Sequence, residues 1–134
     1  MTKYAQIPIA RFEYLLGKLN ESKTPPSFLI KKQPGTGVLS IIKAAYPDAG
    51  VITLNTLETG SMPEKMLRQA LADKSENILI VDVDTDEAAV EHDLSCAMRA
   101  FIDNGNRLFL VSSGTITVPK IVIDRVLPTA VVCE

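Results

Sequence analysis

The chain has 134 residues, with 14 Lys and Arg against 16 Asp and Glu, and a formal net charge of −2. That length fits one domain, residues 1–134, with a core of its own. The near-balance of charge excludes a strong general attraction to nucleic acid or to a membrane surface, and Lys31-Lys32 is the only adjacent basic pair.

The opening MTKYAQIPIARFEYLL mixes charges into its apolar residues, so it reads as neither signal peptide nor membrane span, and the expected location is the cytoplasm. Phe12, Leu15, Leu16 and Leu19 recur at helical spacing, and a polar break follows from Asn20 to Pro26. Ser27 to Lys31 reads as a strand, Pro34-Gly35-Thr36-Gly37 as a turn, and Val38 to Tyr46 as a helix. Pro47-Asp48-Ala49-Gly50 ends that helix, and Val51 to Leu54 is the next strand.

Ser61-Met62-Pro63-Glu64 predicts a helix start: a capping serine, a proline in the first turn where no N–H is needed, and a glutamate to complete the box. Met66, Leu67, Ala70 and Leu71 carry that helix. Asn77 to Asp84 contains Ile78-Leu79-Ile80-Val81, an apolar run typical of a strand covered on both faces. Val90, Leu94, Ala97, Met98 and Phe101 mark a helix stopped by Asn104-Gly105-Asn106. Leu108 to Val111 is a fourth buried strand, Pro119 to Arg125 a short helix, and Ala130 to Cys133 a fifth strand. Cys96 and Cys133 form no metal or redox spacing and are expected as buried, reduced thiols. Strands alternating with helices, and apolar runs inside the strands, predict an α/β three-layer sandwich around a five-stranded parallel sheet.

The segment from Phe28 to Ile42 keeps the skeleton of a nucleotide-binding P-loop without its chemical groups. A working loop runs strand, G-x-x-x-x-G-K-[ST], helix, and holds phosphate and magnesium through backbone N–H groups, lysine and hydroxyl. In that register Lys32 replaces the first glycine, Gly37 is kept, Val38 replaces the lysine and Leu39 the hydroxyl residue.

The order of these elements resembles the AAA+ nucleotide-binding domain over nearly the whole chain. Ile78 to Asp84 falls where that family has an apolar strand ending in Asp-Glu, and Leu108 to Ser113 matches its sensor strand. Val118 to Val126 looks like the segment that carries its arginine finger. Within the family, the Leu29 to Gly37 run is similar to the degenerate L-I-x-x-x-P-G-x-G loop of delta-prime-type clamp-loader subunits. The resemblance implies a P-loop NTPase core. The helical lid and collar that usually follow the fifth strand have no counterpart before Glu134, which bears on assembly of a clamp-loader type.

The resemblance also implies roles for individual residues. Gly35, Thr36 and Gly37 are either a vestigial phosphate cradle or a tight turn that needs glycine, and the loss of the lysine at Val38 favours the turn. Asp82 takes the magnesium position, while Val83 stands where the catalytic glutamate belongs, so no catalytic residue is assigned. Asp84 would point to the opposite face from Val83, and the Asp82 to Glu87 acidic run reads as a helix-capping, solvated turn rather than a metal site. Ser112 and Ser113 read as ordinary strand-closing serines, and His92 as a solvated residue of a polar helix face. Arg125 is either an arginine finger that completes a partner's site or a surface arginine paired with Asp124 or a sheet-end carboxylate.

Three functions stay open at this point. One is a catalytically inactive interaction or regulatory subunit for an AAA+ partner of the clamp-loader or helicase-loader kind in DNA replication. It would associate with AAA+ subunits or with itself, touch DNA only through partners, need no membrane and require no cofactor. A second is a divergent nucleoside triphosphatase that binds ATP and magnesium with Lys32 in place of the missing lysine. A third is a small structural or regulatory protein of a mobile element or phage.

Overall fold

A computed structural model describes residues 3–23, 25–73 and 77–133. Thr24 in the polar break and Glu134 at the chain end lie outside that set. In chain order the elements are β1 (Ala5–Pro8), α1 (Ile9–Leu19), β2 (Ser27–Lys32), α2 (Val38–Ala45), β3 (Gly50–Leu54), α3 (Met62–Asp73) and β4 (Ile78–Val83). There follow β5 (Glu87–Ala89), α4 (His92–Asp103), β6 (Arg107–Ser112), β7 (Thr115–Thr117), α5 (Lys120–Ile123) and β8 (Val126–Val132). No helix among the described residues is long and apolar enough to cross a membrane.

The predicted α/β class stands, with one correction to the strand count. The main sheet has six strands in the order β1-β8-β2-β6-β4-β3, and every pairing in it is parallel. The added strand is β1, which the helical reading of the N-terminal segment passed over. Its four residues are mostly exposed and end in Pro8, which an edge strand tolerates because one of its sides has no ladder to break. Its partner β8 is also longer than predicted, because Val126 to Thr129 pair with β2, and Thr129 with β1 as well, before the predicted stretch begins.

Alternate residues of the central strands feed two cores. Phe28, Ile30, Ile80, Phe109 and Val111 face α1 and α2, meeting Phe12, Leu16, Val38 and Ile42. Leu29, Leu79, Val81, Leu108 and Leu110 face the other way and meet Leu67, Leu94, Met98, Phe101 and Val122 from α3, α4 and α5. This two-sided burial explains why the strands read as apolar runs. In the first core Phe28 stacks on Phe109 at 5.4 Å, with Phe12 edge-on to Phe28 at 6.1 Å and Tyr46 tilted against Phe109 at 5.6 Å.

The cap of α3 follows the predicted box with a shift. Glu64 N–H donates to Ser61 Oγ at 3.3 Å, while the Glu64 carboxylate accepts from Gly60 N–H at 3.3 Å rather than from the serine's own amide. Three other expectations are corrected. The acidic Asp82 to Glu87 run does not cap a helix, because Glu87 enters the small strand β5 and α4 begins only at His92. Val90 precedes α4, and its N–H donates to Thr117 O at 2.8 Å. Cys133 is exposed at the end of β8, and Cys96 is partly exposed.

Strands β5 and β7 form a separate parallel pair, Ala88 opposite Ile116, which ties the loop after β4 to the loop after β6. Gly114 leads into β7, and any Cβ there would collide with the carbonyl oxygens of Thr85 and Asp86. A backbone so closely approached cannot yield cheaply. Gly114→Ala is therefore expected to lower stability by about 1–3 kcal/mol. Gly17→Ala on the exposed side of α1, where a Cβ meets nothing, should instead leave stability unchanged or raise it by up to about 1 kcal/mol. Denaturant unfolding of the two variants beside the parent measures both.

Candidate functional site at the carboxyl edge of the sheet

In a parallel sheet a crevice opens outside the carboxyl ends of two neighbouring strands whose connections depart to opposite faces. Here those neighbours are β2, which leads into α2 on one face, and β6, which leads through β7 to α5 on the other. The loop 33–37 and the residues Ser112 and Ser113 stand at that point, together with Lys32 and Asp82.

The loop is tied back to the sheet: Gln33 N–H donates to Val131 O at 3.2 Å, and Cys133 N–H donates to the Gln33 side chain at 3.0 Å. Thr36 Oγ1 donates to Gln33 O at 2.9 Å, closing the turn on itself. Gly35 and Gly37 sit at φ +83° and +69°, the left-handed region where a side chain is strained, so glycine is needed for the turn whatever it binds. Gly37 is also the N-cap of α2, and no side chain caps that helix. The loop and first helical turn bound a cleft of about 240 Å³.

The side chains around this cleft are committed elsewhere. Val38 is 1% exposed and belongs to the core between α1, α2 and the sheet, so the first residue of α2 serves packing. Leu39 packs at the margin of the same core. Lys32 Nζ lies 3.4 Å from Asp82 Oδ1, with both side chains largely buried. The pair neutralises the cation at the end of β2 and the carboxylate of β4 at once. Val83 is fully buried in the opposite core, where it can neither orient nor deprotonate water. Asp84 is exposed just beyond β4, and its N–H continues the pairing to Leu54 O at 2.6 Å. Ser112 Oγ accepts from Gly114 N–H at 2.9 Å, which gives it a turn-closing role. Among the described residues no three His, Cys, Asp or Glu side chains gather as a metal site.

The remaining sequence candidates lie apart from this crevice. His92 is exposed at the start of α4, with Nε2 3.6 Å from Cys96 Sγ. Arg125 stands at the amino edge, just before β8, so a seven-residue strand separates it from the carboxyl edge, about 20 Å at the usual rise. Arg125 Nε donates to Asp103 Oδ1 at 2.8 Å and Nη1 donates to Ile121 O at 2.7 Å. Asp124 pairs with Lys120 instead, at 3.0 Å. Two features escaped sequence reasoning: the Lys32–Asp82 pair, fifty positions apart, and Arg107, a strand-opening arginine that is 6% exposed. No periodicity marks either, because each depends on strand register. No family model, curated protein or solved structure matches the chain.

The hydrogen bond from Arg125 holds the Asp103 carboxyl below the usual aspartate range, and the same bond raises the Arg125 guanidinium. A carboxyl lowered on folding adds stability above its unfolded pKa, and that contribution is lost as pH falls through the lowered folded value. NMR titration of the Asp103 side chain should thus show a midpoint below that of a free aspartate. In Arg125→Ala the midpoint should return toward the ordinary value.

Proposed function

We propose that the protein is an AAA+-like scaffold without nucleotide chemistry of its own, acting as an interaction or regulatory subunit for an AAA+ partner of the clamp-loader or helicase-loader kind. The observation that carries this reading is the Lys32–Asp82 pair at 3.4 Å. In the crevice where a P-loop would grip phosphate, the cation faces its own carboxylate, and the neighbouring positions are given to packing. The alternation of strands and helices, the glycine turn after β2 and the loss of Val38, Leu39 and Val83 to apolar roles support the same reading. A missing lysine forfeits a charged hydrogen bond of about 1.5–3 kcal/mol. A missing general base forfeits about 10²–10⁴ in rate. Together these losses leave little reason for the site to turn over ATP.

A role in trans rests on Arg125, which is one-third exposed and tethered by Asp103. To stabilise charge on a neighbour's nucleotide, it would exchange Asp103 for phosphate oxygens. The second reading, a nucleoside triphosphatase built on Lys32, is favoured by one observation: Lys32 lines the loop cleft and keeps some exposure. It requires the lysine to leave Asp82.

Calorimetry with magnesium and millimolar ATP separates the two. The proposed reading expects a flat titration, whereas a saturating isotherm abolished by Lys32→Ala would transfer the assignment to the enzyme. The partner role is tested by reconstituting the protein with an AAA+ ATPase captured from its native cell. Arg125→Ala should then reduce the ATPase rate of the complex by about tenfold or more, and an unaltered rate would remove the finger role.

A further inference from the structure

We propose that the cleft at the opposite, amino edge of the sheet binds a small organic phosphate through Arg107 and Lys23. It lies between the segment 25–27, the last turn of α4 and Arg125, and has a volume of about 320 Å³, within the range of small-molecule sites. Binding there is independent of whether the 33–37 loop holds nucleotide.

The starting point is Arg107, the first residue of β6. Its guanidinium lies 4.6 Å from the Tyr46 ring centre and 5.1 Å from that of Phe109. Nε donates to Pro26 O at 3.2 Å, which holds the group at the cleft wall. Nη2 is buried and has no hydrogen-bond partner, and among the described residues no carboxylate pairs with Arg107. Aromatic faces offset part of the cost of burying a cation, but they do not satisfy an N–H. The other buried polar atom without a partner among the described residues is the hydroxyl of Tyr46, whose ring the guanidinium covers. Arg107 also lines the cleft, where a ligand can supply the missing acceptor.

The charges around the cleft define that acceptor. Lys23, Arg107 and Arg125 line it together with one carboxylate, Asp103. Asp103 is taken by Arg125 at 2.8 Å, so that pair is locally neutral. Lys23 is exposed and has no ion-pair partner among the described residues. Two unmatched positive charges remain, in a molecule whose net charge is −2. The carbonyl end of α4 opposes an anion here, but only as a fraction of one charge. A phosphate monoester, carrying about −1.5 to −2 near neutral pH, matches the surplus, and its oxygens suit the donor geometry of a guanidinium. Pro25, Pro26 and Ile102 give the cleft an apolar side for the organic group.

The test is an amide NMR titration with phenyl phosphate at constant ionic strength, with chloride as control. Saturable shifts confined to Ser27 and residues 103–107 are expected. Lys23→Ala should weaken binding about threefold and Arg107→Lys about tenfold, since the lysine keeps the charge but loses the fork. Asp103→Asn, which releases Arg125 to the ligand, should tighten it. If Arg107→Lys does not fold, the opposite responses of Lys23→Ala and Asp103→Asn still decide the matter. A linear, non-saturating response, or isotherms unchanged in both of those variants, would overturn the proposal. Saturable shifts at 33–37 alone would also overturn it, and would count against the inactive-loop reading.

Discussion

Parallel pairing throughout the six-stranded sheet forces every connection to cross a face before the next strand can begin. The apolar runs of β2, β4 and β6 are what make this possible, since each strand supplies side chains to helices on both sides. Phe28 and Phe109 stack on adjacent strands in one core, while their sequence neighbours Leu29 and Leu108 serve the other. Buried strands of this kind leave only two places for polar chemistry, the carboxyl edge and the amino edge.

The two edges are built differently. At the carboxyl edge the change of direction after β2 creates a crevice, but the groups reaching it cancel one another: Lys32 against Asp82, Ser112 against its own turn. The mini-sheet of β5 and β7 then binds the loops beyond β4 and β6 together. The amino edge retains an imbalance. Arg125 and Asp103 form a neutral pair, while Arg107 is left with an unpaired donor between aromatic rings and the 25–27 segment. A scaffold whose expected binding edge is self-neutralised therefore keeps unspent charge at the other.

Much of this architecture was readable from local signals. Continuous apolar runs located β2, β4 and β6, helical spacing located α1 to α4, and the Ser61-to-Glu64 pattern located the start of α3 to the residue. The failures share a cause. Strands β1, β5 and β7 are three or four residues long and largely exposed, so they carry no hydrophobic period and exist only because a partner strand lies beside them. The acidic run after β4 misled because carboxylates favour helix starts, while a strand partner at β7 outweighed that local preference. Cys133 misled because the end of an apolar strand reads as buried, yet β8 ends at Val132 and the cysteine just after it is exposed.

The sequence by itself determined the α/β class, the order of the main elements, the glycine turn after the first buried strand and the presence of Val38 and Leu39 directly beyond it. These are local properties, written in spacing and residue type. Only the tertiary structure decided that Lys32 meets Asp82, that Arg125 meets Asp103 and that Nη2 of Arg107 has no acceptor. Those facts depend on which strand lies next to which and in what register. A contact between residues tens of positions apart is created by sheet order, which no local pattern in the chain encodes.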